Sequence, residues 1–219
     1  MTYLELCQLF VREAGAVGTG PTTVVGQTGE YARVVEWIKQ SWIKIQTEKS
    51  RRWKFTWIQK EINTTADART YDMSSESVKQ IDTDTFTIFL TADTESQEMP
   101  LEFMEYNQFK KIYNYIHSDA EQPAIVTVLP DNNLFFEPKP NDDYTIRFDA
   151  SKSVQILAAD SDVPYLPEEY QYAIIYRALL DYERYEEAPM IIAPLYLDAW
   201  NRLLWEQEDV PDEMVVQPV

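Results

Sequence analysis

Every glycine of the chain lies between positions 15 and 29: Gly15, Gly18, Gly20, Gly26 and Gly29. Glycine is demanded where a backbone takes positive φ or passes close to another backbone, so this segment is shaped by conformation. The chemistry to weigh first is a phosphate cradle. The spacing of Gly15, Gly18 and Gly20 departs from the dinucleotide fingerprint, and no Gly-Lys-Ser or Gly-Lys-Thr follows to hold phosphates and metal. Leu4, Leu6, Leu9, Phe10 and Val11 before the glycines also read as a helix, whereas a nucleotide loop follows a buried strand. The expectation is a structured connector between two helices.

Nucleophilic catalysis needs a base near neutrality, and the chain has one histidine, His117, and one cysteine, Cys7. They lie far apart in sequence, and Cys7 sits in a helical apolar stripe, where it reads as a small packing residue. Zinc needs several such ligands and is excluded on that ground. The carboxylate pairs Asp160 with Asp162 and Glu168 with Glu169 could serve glycoside hydrolysis or a hard cation. Hydrolysis requires one carboxyl in an apolar pocket and a second about 5 to 9.5 Å away. Sequence spacing gives no such pairing, and solvated loop and helix-start charges are the expectation. Calcium loops need a glycine turn, which the acidic stretches lack. The sequence predicts no catalytic residue, no cofactor and no metal site, and the chain is read as a non-enzyme.

Trp53 and Trp57 flank Lys54, with Arg51 and Arg52 just before them. Such aromatics could stack bases or sugars, but a packed face or a protein interface is the expectation. Arg51, Arg52 and Lys54 are candidate contacts to an acidic partner. The last residues, Asp209 to Val219, carry Pro211 and Pro218 without periodicity and read as an extended arm. Val210, Met214, Val215 and Val216 are its candidate contacts.

Charge narrows the partners. Lys and Arg number 19 against 37 Asp and Glu, giving a formal net charge of −18. That excess disfavours wrapping nucleic acid or adhering to an anionic membrane. It suits either simple solubility or a passage through which DNA slides without sticking, since carboxylates repel phosphates. The single cysteine excludes an internal disulfide framework, and no apolar run reaches the ~18 residues a membrane span needs. No signal leader is legible at the start, and a soluble chain is expected.

The elements that must position these residues follow from periodicity. Thr2 and Glu5 have capping-box spacing, so a first helix is predicted over about 2–14. Tyr31, Val34, Val35, Ile38, Trp42 and Ile45 predict a second over about 28–49. Period two then takes over, with strands predicted at 54–62, 86–91, 125–129, 134–137 and 144–149, and a short helix from Tyr106 to about His117. Helical spacing returns after Pro167 and ends near Pro189, and a last helix runs over about 194–208.

The expected fold class is α+β: a helical bundle formed by N- and C-terminal helices, an inserted antiparallel β domain and an extended C-terminal arm. The expected boundaries are 1–52 plus 161–208 for the bundle, 53–160 for the insertion and 209–219 for the arm.

Three stretches carry a resemblance. They are Tyr3-Leu-Glu-Leu-Cys-Gln-Leu-Phe-Val-Arg-Glu-Ala-Gly15 with the connector; Pro123-Ala-Ile-Val-Thr-Val-Leu-Pro130 with Phe136-Glu-Pro138-Lys-Pro140; and Asp162-Val-Pro164-Tyr-Leu-Pro167-Glu-Glu-Tyr170. On these the chain resembles the head-to-tail adaptors of tailed bacteriophages, the tail-tubular-protein-A-like group. The resemblance implies a structural virion protein of the neck, made in the host cytoplasm. It further implies a homo-oligomeric ring, usually of twelve copies. That ring would bind the portal protein, carry the tail nozzle or tail tube below, and meet DNA only in transit, with no membrane. The alternatives are another neck component such as a stopper, or a carbohydrate-binding or hydrolytic module.

Overall fold

The structure, a computed structural model, describes residues 1–15, 18–48, 53–92, 97–113, 119–187 and 192–207. The chain divides into two compact units, Met1–Thr56 with Val154–Val219, and Trp57–Ser153.

The first unit starts with the capping box: Thr2 Oγ1 accepts from the Glu5 N–H and Glu5 Oε2 accepts from the Thr2 N–H. Two of the donors that a helix start leaves unpaired are thereby satisfied. Helix α1 (Tyr3–Glu13) comes next, with Tyr3, Leu6, Leu9 and Phe10 on its buried side. Helix α2 (Gly29–Thr47) buries Val34, Ile38, Trp42 and Ile45. Beyond the inserted unit come α4 (Tyr172–Tyr185) and α5 (Ile192–Gln207), α3 lying in the other unit. Helix α4 packs on α1, α2 and α5, so elements from both ends of the chain share one core.

Backbone shape rather than side chains sets the connector. All five glycines have positive φ. At Gly20, with φ +85°, an added Cβ would stand 2.9 Å from the Gln8 Cα on α1, a distance that neighbouring backbone cannot yield. Gly26 has nothing within 4 Å of that position. Gly20→Ala is therefore expected to cost the helical unit about 2–4 kcal/mol, from left-handed strain plus overpacking. Gly26→Ala, with strain alone, should cost about 1–2 kcal/mol. Urea unfolding followed by far-UV circular dichroism reads both, and equal costs would contradict the close approach.

The segment that returns from the insertion is tied down by side-chain amides. Gln46 on α2 grips the Gln155 backbone at two points: its Oε1 accepts from the Gln155 N–H at 2.8 Å and its Nε2 donates to the Gln155 carbonyl at 2.9 Å. The Gln155 side chain in turn accepts from the Trp42 indole N–H at 3.1 Å and from the Tyr165 N–H at 3.0 Å, and donates to the Val163 carbonyl at 2.8 Å. Further on, the carbonyls of Asp162 and Asp160 accept the Tyr3 and Leu4 N–H groups, closing the start of α1.

In the second unit the strands are β1 (Trp57–Asn63), β2 (Thr70–Tyr71), β3 (Val78–Ile81), β4 (Thr87–Leu90), β5 (Met99–Pro100), β6 (Glu102–Phe103), β7 (Ile125–Val128), β8 (Leu134–Glu137) and β9 (Tyr144–Lys152), with α3 (Tyr106–Tyr113) between β6 and β7. One sheet runs β1-β9-β4-β5 with β3 also on β9, and the other runs β2-β8-β7-β6. Phe86, Ile88, Phe136, Ile146 and Phe148 pack in the unit's core. The Pro130-Asp-Asn-Asn133 turn closes the β7–β8 hairpin, with Asn132 in the left-handed region that its side chain tolerates.

The expected α+β class holds, and the strands of the inserted unit pair antiparallel except that β6 lies parallel to β7. Parallel neighbours need a crossover, and α3 supplies it. The alternation from Trp53 is not all strand: Lys54–Thr56 forms a 3-10 turn and the strand begins at Trp57. Trp53 and Phe55 instead join the helical core, stacked at 5.5 Å, with Phe55 against Trp42 and Trp53 edge-on to Trp200. β9 extends to Lys152, beyond the predicted Asp149, because its far end pairs with the unpredicted β3. His117, Pro189 and the arm lie outside the described residues.

Candidate protein interface

Cys7, Asp160 and Asp162, weighed from the sequence as reactive, make packing or hydrogen-bonding contacts within the helical unit. Cys7 is fully buried in the helical core, and burial pushes its thiol up to about 12, so it stays protonated. Asp160 Oδ1 accepts from the Val24 N–H at 2.6 Å and the Thr23 hydroxyl at 3.1 Å, pinning the glycine connector to the return segment. Asp162 Oδ2 accepts from the N–H groups of Ala158 and Ala159 at 2.7 and 2.9 Å, and these backbone bonds lower its pKa. A depressed folded value stabilises above the unfolded pKa, and the contribution disappears as pH falls through the folded one. Glu168 lies near the chain's amino terminus at 3.9 Å. Among the described residues no cluster of three or more His, Cys, Asp or Glu could hold a metal ion, and no helix is long and apolar enough to cross a membrane.

A groove of about 700 Å³ runs along α1 and the connector, lined among others by Glu5, Gln8, Arg12, Gly18 and Glu168. It is not a phosphate cradle: the element before the glycines is a helix, as expected, and two carboxylates line the walls.

The predicted interface residues divide sharply. Arg51, Arg52, Val210, Met214, Val215 and Val216 lie outside the described residues. Lys54 is exposed, and its Nζ stands 3.3 Å from the Glu206 carbonyl at the end of α5, where a cation complements the helix dipole. Glu206 itself receives the Tyr170 hydroxyl and, at 3.2 Å, the Arg202 Nε. The Tyr170 hydrogen bond first, and then Arg202, lower the pKa of the Glu206 carboxyl.

These contacts hold α5 at its last turn, and others hold it earlier. Glu183 on α4, almost wholly buried, accepts from the Ile192 N–H at 3.1 Å, placing a carboxylate at the positive end of α5. Tyr196 and Leu203 are buried, and the Arg177 guanidinium lies 5.4 Å over the Tyr196 ring. Away from that inner side α5 is open to solvent: Leu197 on its flank is 57% exposed and Trp205 88%. Helical spacing in the sequence puts Trp200 and Leu204 on the packed side, and it does not single out Leu197 and Trp205. Their offset from Tyr196 and Leu203 on the helix is the signal that could have found them.

The return segment shows a second apolar patch. Ile156, Val163 and Tyr165 are exposed, yet the Gln155 side chain fixes the backbone here by bonds to the Val163 carbonyl and the Tyr165 N–H. Exposed apolar side chains on a braced loop present a set shape.

The chain thus combines a bundle built from both chain ends with an inserted β unit, and carries exposed apolar side chains on hydrogen-bonded elements. The sequence matches the family described as SU10 adaptor protein over residues 1–215, and the chain belongs to that family, a family of phage head-to-tail adaptors. No curated protein matches it.

Proposed function

We propose that this chain assembles as a ring between the portal and the tail or nozzle of the virion and lines the passage taken by DNA, with no catalytic role. The observation that carries this reading is family membership over nearly the whole chain. The residues support it. Arg51, Arg52 and Lys54 would dock on an acidic surface of the portal, while Val210, Met214, Val215 and Val216 in the arm make apolar contacts to neighbouring subunits. We assign the helices of 1–52 and 161–208 as the ring-forming body, and the 53–160 insertion and the 209–219 arm as contacts to adjoining parts. An acid excess of −18 per copy surrounds a central hole with charge that repels phosphates at close range.

The test is to mix the purified chain with purified portal rings and image the product by electron microscopy. The isolated chain is expected to be monomeric by light scattering and to form a ring only on the portal. Absence of any complex would overturn the reading. In the same assay the variant carrying Arg51→Ala, Arg52→Ala and Lys54→Ala should keep its circular dichroism and lose about tenfold or more in portal affinity, the loss of one desolvated charge contact or more. Unchanged affinity would remove these three from the interface.

A further inference from the structure

Strand β1 ends its sheet, and its pairing with β9 runs from Trp57 to Asn63 without a bulge. Among the described residues the backbone of 58–63 bonds to no segment other than β9. The Thr64 N–H donates to the Tyr144 carbonyl at 2.8 Å, which continues the ladder and fixes its parity. Alternate residues of an antiparallel ladder direct their N–H and C=O to the partner, so Ile58, Lys60 and Ile62 bond to β9. Gln59, Glu61 and Asn63 turn theirs outward. Such an edge is a template for a further strand.

A second copy of β1 fits that edge in a definite register. A two-fold pairing that keeps both core-facing sides together and uses all seven residues centres on Lys60. Gln59 then exchanges backbone bonds with Glu61 of the second copy, Ile58 stands opposite Ile62, and Lys60 stands opposite Lys60. The last two are non-hydrogen-bonded pairs, in which opposed side chains come closest, with Cα atoms about 4.5 Å apart. The isoleucines favour the contact, and the lysines oppose it because like charges directly opposite destabilise. A slip of two residues either way sets each Lys60 against an isoleucine, so neither neighbouring register gives the charge a partner.

We propose that Lys60, held by Glu76, guards β1 against strand pairing with a second copy of this chain. Lys60 lies on the core-facing side of the strand, between buried Ile62 and Ile58, which packs on the same core. Its Nζ stands 3.1 Å from Glu76 Oε2, and Glu76 Oε1 accepts the Tyr71 hydroxyl. The lysine and glutamate side chains are 28% and 20% exposed, so a strand laid on this edge would strip remaining water from an ion pair as well as oppose two ammonium groups. A charge turned inward on an edge strand protects it in this way. On the adaptor reading the guard keeps copies apart until they meet the portal. That consequence rests on the adaptor reading, whereas the guard belongs to the isolated chain.

The test uses the isolated full chain without portal. In the wild type, hydrogen exchange followed by NMR should find the amides of Gln59, Glu61 and Asn63 about tenfold or more faster than those of Ile58, Lys60 and Ile62. Equal protection would overturn the proposal by showing the edge already covered. Sedimentation then compares variants at about 100 μM: Lys60→Met with Glu76→Gln keeps the stem and an acceptor for Tyr71 but removes both charges, and its mass should approach twice that of the wild type. Lys60→Arg keeps the charge and should stay monomeric. Adding Gln59→Pro to the double variant removes an outward N–H without touching a β9 bond and should restore the monomer. A folded double variant that stays monomeric, or a dimer that survives Gln59→Pro, would overturn the proposal. Should the double variant fail to fold, Lys60→Thr removes the charge at a residue type that favours strands and is read the same way. Each outcome leaves the portal-binding experiment to stand or fall by itself.

Discussion

Replacing Trp42 by alanine is expected to remove about 3–5 kcal/mol from the helical unit, the range for truncating a fully buried large aromatic side chain. The indole is wholly buried at the middle of α2 and packs against Phe55. Its N–H also donates to the Gln155 side chain, which orients the returning segment through Val163 and Tyr165. Alanine therefore opens a cavity in the core and removes a hydrogen bond from the network that joins the two ends of the chain. Domains have only about 5–15 kcal/mol to lose, so the variant should give up a large fraction of its margin and unfold at clearly lower urea. The comparison is Trp57→Ala at the start of β1, where the side chain is 45% exposed and the cost should be about 1 kcal/mol or less. Urea unfolding by far-UV circular dichroism separates them. A Trp42→Ala variant no weaker than Trp57→Ala would show that the two ends are not held through this contact.

Ending the chain at Glu208 should have the opposite signature. The arm is rich in valine and proline and comes after the last helix, so removing it is expected to shift stability by no more than about 0.5 kcal/mol. Portal affinity should fall about a hundredfold, corresponding to the loss of one or two apolar anchors. An extended segment binds by ordering on contact, trading entropy for wide coverage. Titration of portal rings with full-length and shortened chains checks this. Equal affinities would exclude the arm from the joint.

Where periodicity and capping are strong, the sequence determines the outcome by local physics. The Thr2–Glu5 capping box, the apolar stripe of α2 and the glycine connector all appear as their residue types demand. Where pairing is brief or long-range, local signals are silent. β2, β5 and β6 are two residues long and owe their existence to neighbours distant in sequence, such as Phe135 opposite Thr70. Trp53 and Phe55 alternate like a strand, but the helical core competes for those rings more strongly than a sheet edge does. Asp160 reads as solvated charge because nothing near it in sequence identifies Thr23 and Val24 as partners of its carboxylate, whereas the Asp162 carboxylate is held locally by the Ala158 and Ala159 N–H groups. Of the candidate interface, Lys54 is placed at the end of α5. The exposure of Leu197 and Trp205 is visible only once Tyr196 and Leu203 are seen to face inward.

A reconstruction of the phage particle that contains this chain tests the central claim most directly. The account predicts a ring of its copies directly below the portal, with the tail or nozzle attached beneath and acidic side chains around the DNA passage. Density for this chain elsewhere in the particle, or a neck that forms intact without it, would contradict the account.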